Sequence, residues 1–274
     1  MELRKVDFCI SQDRGCAYSV AMTSRPLALT LEALSDVART RAAEQRVLTF
    51  ENKGGSAFDP VTQLDRAIER DLRAYLLAEY PDDGVWGEED GWSNLGAPRH
   101  WSIDPIDGTR ALICGLPSWC ILVGYLEGGK HLAGMIDCPP LGERLIAVDG
   151  ATTRDGMAMS TSGCESLADA RLSSTDPHLF RGDEESAFQA VREQALLTRY
   201  GLDALAYARV ATGDIDLVVE NGLKRHDLDA LVPVVRGAGG YVGDWTGGDN
   251  WDEGRIVAAA SRTLYNEAVA VLSR

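Results

Sequence analysis

Apolar residues first recur at helical spacing at Leu29, Leu31, Leu34, Val37 and Ala38, which predicts a helix from Leu27 to about Val47. Arg39, Arg41 and Arg46 fall late in it, where cations suit the negative end of the helix dipole. Glu51–Ser56 is polar and glycine-containing and reads as a loop. A second amphipathic helix is expected over Asp65–Tyr80, with Ile68, Leu72, Tyr75 and Leu76 on one face, and Pro81-Asp82-Asp83-Gly84 turns the chain after it. Short apolar runs at Val85-Trp86, Trp101–Ile103, Ile121–Tyr125, Ala133–Ile136 and Leu145–Val148 read as strands. The glycine-rich turns between the later ones predict an antiparallel meander. Further strands are expected at Leu172–Ser174, Asp216–Glu220 and Val257–Ala260, and helices at Glu184–Ala195, Leu205–Ala211, Asp227–Ala238 and Leu264–Leu272. Gly213 and Gly239-Gly240 supply helix stop signals.

Helices and strands are mixed without a repeating βαβ unit and without internal repeats. That order predicts an α+β or layered α/β chain with mixed sheets and argues against a Rossmann fold. A soft boundary near Asp149–Ser166 divides an N-terminal half, residues 28–150, from a C-terminal half, residues 151–274. Residues 1–27 carry no clear periodicity and are expected to be a disordered or non-native tail, with Met22 as an alternative start.

The 274 residues are 45% apolar and 25% charged, which is enough to build a core and excludes a largely disordered chain. Forty-two acidic residues against 27 basic ones give a net charge of −15. Such a surface repels phosphate backbones and anionic lipid, so neither nucleic acid nor membrane is an expected partner. No stretch approaches the roughly 18–20 apolar residues of a membrane span. The first residues lack the pattern of a signal peptide, and the expected location is the cytoplasm. Cys9, Cys16, Cys114, Cys120, Cys138 and Cys164 form no CxxC pair and read as reduced thiols.

Three acidic clusters stand where strands or loops meet turns: Gly87-Glu88-Glu89-Asp90, Asp104-Pro105-Ile106-Asp107-Gly108-Thr109, and Asp227 at the start of a helix. Each has a plain alternative, as a solvated loop, a turn and a helix cap respectively. The second is the most informative. Two carboxylates three positions apart can converge on a hard cation with the Ile106 carbonyl as a further oxygen ligand. The following Gly108-Thr109 offers backbone N–H groups and a hydroxyl to an anion. One short run can therefore hold both a metal and a phosphate.

These runs, together with Lys53, Asp59-Pro60-Val61-Thr62-Gln63-Leu64-Asp65 and Ala238-Gly239-Gly240, resemble the inositol monophosphatase superfamily of Mg²⁺-dependent, lithium-sensitive phosphatases over about residues 28–272. The resemblance implies a layered αβαβα architecture, with mixed, largely antiparallel sheets sandwiched by helices. It implies a first Mg²⁺ held by Glu88, Asp104 and the Ile106 carbonyl, a second held by Asp104, Asp107 and Asp227, and a third, weaker one near Glu88. Phosphate would lie on the N–H groups of Gly108 and Thr109. Asp59, Thr109 and Glu88 would form the catalytic set, Asp59 orienting the Thr109 hydroxyl so that the pair helps deprotonate the attacking water. Family members are usually homodimers, and the resemblance implies one here.

Within the superfamily, Arg110, Gly115-Leu116-Pro117, Ser174-Thr175-Asp176-Pro177, the run from Asp216 to Lys224 and Ala230-Leu231-Val232-Pro233-Val234 are similar to the histidinol-phosphate phosphatase branch. That branch implies hydrolysis of L-histidinol phosphate, in histidine biosynthesis, with Asp203, Glu220, Arg110 and Lys53 facing the substrate. The plain alternative for Arg110 is a salt bridge to Glu143 or Asp137. Departures at His226, Leu112 and Leu202 lie around the leaving-group pocket rather than the metal centre. They keep open inositol 1-phosphate or another sugar or cyclitol phosphate as substrate. A regulatory protein that keeps the fold but works by binding a partner is the reading from a different class.

Overall fold

The computed structural model describes residues 24–44, 49–53 and 60–273. Asp59, Cys9 and Cys16 lie outside the described residues. Helix α1 spans Ser24–Glu44 and so begins three residues ahead of the expected Leu27, which is itself buried. Strands β1 (Phe50–Asn52) and β2 (Pro60–Thr62) form a small antiparallel pair that leads into α2 (Gln63–Glu79). Thr62 caps α2: its hydroxyl accepts from the Leu64 and Asp65 N–H groups, and Asp65 answers by accepting from the Thr62 N–H.

The large sheet follows. Strands β3 (Gly84–Gly87), β4 (Gly91–Ser93), β5 (Arg99–Asp107), β6 (Cys120–Glu127), β7 (Lys130–Cys138), β8 (Glu143–Val148), β9 (Ala151–Arg154) and β10 (Met157–Ala158) run in the order β10-β9-β8-β7-β6-β5-β3-β4. The meander from β5 to β10 is antiparallel, whereas β3 pairs with β5 in parallel. Helix α3 (Thr109–Ile113) sits in the connection from β5 to β6. The second sheet contains β11 (Arg171–Ser174), β12 (Leu197–Tyr200), β13 (Leu217–Glu220), β14 (Tyr241–Asp244) and β15 (Ile256–Ala259), in the order β12-β11-β13-β15-β14 and with both parallel and antiparallel pairs. Its helices are α4 (Asp183–Gln194), α5 (Ala204–Ala211), α6 (Arg225–Gly237) and α7 (Arg262–Leu272).

Alternation along the strands sets the layers. Ile121 and Val123 of β6 point to the side of α1 and α2, packing with Leu31, Leu34, Ile68 and Leu72. Cys120 and Leu122 point the other way, into a core shared with α5, α6 and the inner face of the second sheet. The outer face of that sheet, through Leu172, Leu217, Val219 and Val257, packs with Phe188 and Val191 of α4 and Leu264 and Ala268 of α7. The order helix, sheet, helix, sheet, helix is the layered arrangement expected. No helix among the described residues is long and apolar enough to cross a membrane.

Two differences from the sequence reading matter for chemistry. β5 does not stop at Ile103 but carries Asp104, Ile106 and Asp107 at its end, with a register shift against β6 between the two aspartates. The turn comes only at Gly108. Second, Asp227 is not the first residue of α6 but its third, and from there its Oδ2 caps the helix by accepting the Lys224 N–H at 2.9 Å.

Candidate active site

The end of β5, the start of α6 and the start of α5 meet between the two sheets. Asp104, Asp107 and Asp227 each bring one carboxylate oxygen within 4.8 Å of the others. The bulge in β5 makes this geometry. Asp104 Oδ1 accepts the Ile106 N–H at 3.0 Å, and Asp107 Oδ2 accepts the Ala204 N–H at the start of α5. Gly108 adopts φ 85°, and a β-carbon there would approach the Ser118 carbonyl oxygen to 3.0 Å. Glycine therefore lets the chain leave β5 and open α3 at Thr109.

Electrostatics in this cluster oppose ionisation. Burial, then repulsion from Glu88, Asp107 and Asp227, holds the Asp104 carboxyl well above its ordinary range. Burial and the neighbouring Asp203 do the same to Asp107. Asp227 is also raised by burial, against the pull of His226, whose Nε2 lies 3.3 Å from its Oδ1. Carboxyls collected where they repel one another are a cavity made for positive charge.

Glu88 stands outside this trio, beyond the tip of β3. Its Oε1 lies 2.9 Å from Lys53 Nζ and 3.5 Å from Lys224 Nζ. Burial would raise its pKa, but Lys53, His226 and Lys224 together hold it below the usual carboxylate range. Lys53 also contacts Glu89 Oε1 at 2.6 Å. The ammonium of Lys53 thus sits between two carboxylates, so this expected substrate contact faces Glu88 and Glu89.

The Thr109 hydroxyl donates toward the Ile106 carbonyl oxygen at 3.0 Å and Asp65 Oδ1 at 3.3 Å. Asp65 is the residue that sequence reasoning passed over. In sequence it reads as the start of the amphipathic helix Asp65–Tyr80. Its signal was its place three residues after a capping threonine, which ties its Oδ2 to Thr62 and leaves Oδ1 for Thr109. Burial raises the Asp65 pKa, against its bonds to Thr62.

Beside the cluster lies a cavity of about 420 Å³ whose walls include Asp107, Thr109, Arg110, Asp203, Tyr207 and Glu220. Glu220 is fully buried at the end of β13. Its Oε1 accepts from the Thr175 N–H at 2.7 Å and the Thr175 hydroxyl at 2.9 Å. Burial nonetheless pushes its pKa up to about 8. Burial pushes Asp203 up to about 6, with Arg110 opposing. Asp203 holds φ 48°, a left-handed backbone unusual for a residue with a side chain, directly before the Ala204 N–H that reaches Asp107. The carboxylates weighed as partners for Arg110 are engaged by other arginines: Arg209 takes Glu143 at 2.6 Å and Arg39 takes Asp137 at 2.6 Å. The described cysteines are free thiols and lie outside the cluster, with Cys120 and Cys138 facing each other across β6 and β7.

Over residues 26–274 the chain matches the inositol monophosphatase family. The bifunctional phosphatase IMPL2, chloroplastic, of Arabidopsis thaliana is 42% identical over 191 residues, which is 69% of this chain and 55% of that protein. The chain thus spans little more than half the length of that relative. The histidinol-phosphatase of Mycobacterium tuberculosis is 34% identical over 224 residues, 78% of this chain and 85% of that protein. Among solved structures, an inositol monophosphatase from Zymomonas mobilis superposes with a TM-score of 0.79 at 34% identity, covering 94% of this chain and all of that one.

Proposed function

Because this chain belongs to the inositol monophosphatase family of phosphomonoester hydrolases, we propose that it hydrolyses the phosphate ester of a small cationic amino alcohol, L-histidinol phosphate, with Mg²⁺. Asp104, Asp107 and Asp227, joined by Glu88 and the Ile106 carbonyl, would hold two Mg²⁺, and a third would bind more weakly near Glu88. Oxygen-only donors suit that hard cation. When bound, Mg²⁺ supplies the positive charge that admits a dianionic phosphoester among four carboxylates and polarises its P–O bonds.

The chain's own groups account for the rest. The backbone N–H groups of Gly108 and Thr109, at the start of α3, receive the phosphate oxygens. Thr109 Oγ1, tethered by the Ile106 carbonyl and Asp65 Oδ1, takes a hydrogen bond from the attacking water and passes its proton toward Asp65. A raised carboxyl pKa makes Asp65 a better base near neutral pH. Lys224 and Lys53 hold Glu88 ionised, ready for a cation.

The observation that carries the substrate assignment is the pair Asp203 and Glu220 in the wall of the cavity beside Asp107. Buried carboxyls in a leaving-group pocket favour a partner that brings positive charge or N–H donors, which an amino alcohol bearing an imidazole does and inositol does not. The histidinol-phosphatases among the relatives support the same choice. The test is phosphate release with Mg²⁺ from histidinol phosphate, inositol 1-phosphate, fructose 1,6-bisphosphate, glycerol 2-phosphate and an adenosine 3′-phosphate. The expected kcat/KM for histidinol phosphate exceeds the others at least tenfold. Equal or greater activity on inositol 1-phosphate would overturn the assignment while leaving metal-assisted hydrolysis standing.

A further inference from the structure

Asp65, Glu69 and Arg73 recur at four-residue spacing and form a polar stripe along α2, beside the apolar stripe of Leu64, Ile68, Leu72 and Leu76. Asp65 serves Thr109. Glu69 and Arg73 serve the tip of the hairpin from β3 to β4, the tip that carries Glu88. Glu69 is wholly buried. Its Oε2 accepts the Glu89 N–H at 2.8 Å and its Oε1 the Asp90 N–H at 3.0 Å. Arg73 binds Glu69 Oε1 through Nε at 2.7 Å. Its other nitrogens reach the Gly91 carbonyl and, at 3.0 Å, the Ser93 hydroxyl. The Glu88 N–H donates to the Ile103 carbonyl oxygen at 3.1 Å. Three consecutive N–H groups of the tip are therefore fixed, one to β5 and two to Glu69.

The arrangement is costly for a part that merely fills space. A fourth carboxylate is buried beneath Glu88, Glu89 and Asp90, where an apolar side chain would avoid both desolvation and repulsion. The backbone makes room for it: a β-carbon at position 87 would lie 2.0 Å from Glu69 Oε1, so glycine is the residue that fits. What the carboxylate gains is orientation. With both its oxygens on backbone N–H groups, it fixes the path of residues 88–90 relative to Asp104 on β5.

We propose that Glu69, braced by Arg73, is a positioning residue that sets Glu88 against Asp104 for metal binding. It rests on Glu88 as a metal ligand. Glu69 touches neither metal nor substrate. It acts through the backbone of Glu89 and Asp90. In Glu69→Gln the amide NH2 would face one of the two N–H groups it must accept, so the tip turns while Glu88 keeps its carboxylate.

Calorimetric titration of the metal-free 274-residue chain with Mn²⁺ alone, alongside thermal melts, tests this. Glu88→Gln and Glu69→Gln are both expected to weaken Mn²⁺ binding about tenfold. In Glu69→Gln, unlike Glu88→Gln, raising Mg²⁺ should recover most of kcat, because the ligand is displaced and not removed. Arg73→Lys keeps the charge but loses the fork to Gly91 and Ser93, and should weaken Mn²⁺ binding about threefold. Wild-type Mn²⁺ affinity in Glu69→Gln with only a lowered Tm would show a purely structural residue and overturn the proposal. If Glu69→Gln does not fold, wild-type affinity in Arg73→Lys overturns it instead. Unchanged binding in Glu88→Gln would show that the reading of Glu88 as a ligand, and not only its positioning, has failed.

Discussion

Asp65 does two things with one carboxylate, and they can be separated. Oδ2 closes the cap of α2 with Thr62, and Oδ1 reaches Thr109. Asn at this position keeps an acceptor for the Thr62 N–H but removes the charge and the proton-accepting oxygen. Asp65→Asn is therefore expected to lower kcat by about 10²–10⁴-fold, the usual range for losing a general base. The loss of a cap interaction costs about 1 kcal/mol, so the fold should persist. Steady-state kinetics at saturating Mg²⁺ with a parallel melt would check this, and an unchanged kcat would remove Asp65 from the reaction. Glycine cannot stand in for a side chain here, and at Gly108 a side chain would be strained in its turn: φ 85° disfavours a β-carbon, which would lie 3.0 Å from the Ser118 carbonyl oxygen.

At the scale of elements, the site depends on how closely α6 lies on the large sheet. Gly124 of β6 and Gly134 of β7 are cross-strand partners. A β-carbon on Gly124 would come 2.5 Å from the Asp229 carbonyl carbon, and one on Gly134 would come 2.5 Å from both the Ala230 carbonyl oxygen and Pro233 Cγ. The pair is a seat that lets α6 drop onto the sheet and brings Asp227 beside Asp104. Gly134→Ala should push α6 outward, costing about 1–3 kcal/mol as overpacking does. Because Asp227 moves with the helix, the Mg²⁺ concentration for half-maximal activity should rise as well. A melt and a Mg²⁺ titration of the variant measure both, and a stability loss with an unaltered Mg²⁺ requirement would show that the seat does not govern Asp227.

Much of this scale was legible in the sequence, and the exceptions share a cause. The amphipathic helices were read to within a few residues because each presents a sustained apolar face. So was the meander, where apolar runs are broken by turn residues. β4, β12, β14 and the pairs β1-β2 and β9-β10 were passed over: they are two to four residues long and, unlike the equally short β13 and β15, none carries a run of three apolar residues. β5 was cut short because Asp-Pro-Ile-Asp looks like a turn, whereas the bulge lets the strand carry the aspartates inward. Asp104, Asp107 and Asp227 meet as the motif implied. Glu69 and Arg73 were not singled out, because a buried i,i+4 ion pair looks in sequence like any solvent-facing one.

For the whole molecule, burying so many carboxyls around one cavity makes stability depend on protons and metal together. Asp104, Asp107, Asp227 and Glu220 all have folded pKa values raised above those of an unfolded chain, Glu220 to about 8. For such acids the folded state binds more protons than the unfolded state once pH exceeds about 4. Their contribution is fully present below that pH and is lost as pH rises through the folded values. Asp216 and Asp244 carry the opposite sign: hydrogen bonds outweigh burial and lower their pKa, so their contribution holds above about pH 4 and is lost in acid. The metal-free protein should accordingly be most stable in mildly acidic buffer and lose Tm between about pH 5 and pH 8. At the proposed site Mg²⁺ would compete with protons for the same oxygens, so its stabilisation should grow over that interval. At a hundredfold excess over Kd it amounts to about 2.7 kcal/mol, or roughly 5–10 °C for a chain of this size. Melts from pH 5 to 8.5 in chelator and in Mg²⁺ would resolve the two curves. A Mg²⁺-induced shift of equal size at both ends would mean that the ion does not bind among the raised carboxyls, and would move the metal site away from Asp104, Asp107 and Asp227.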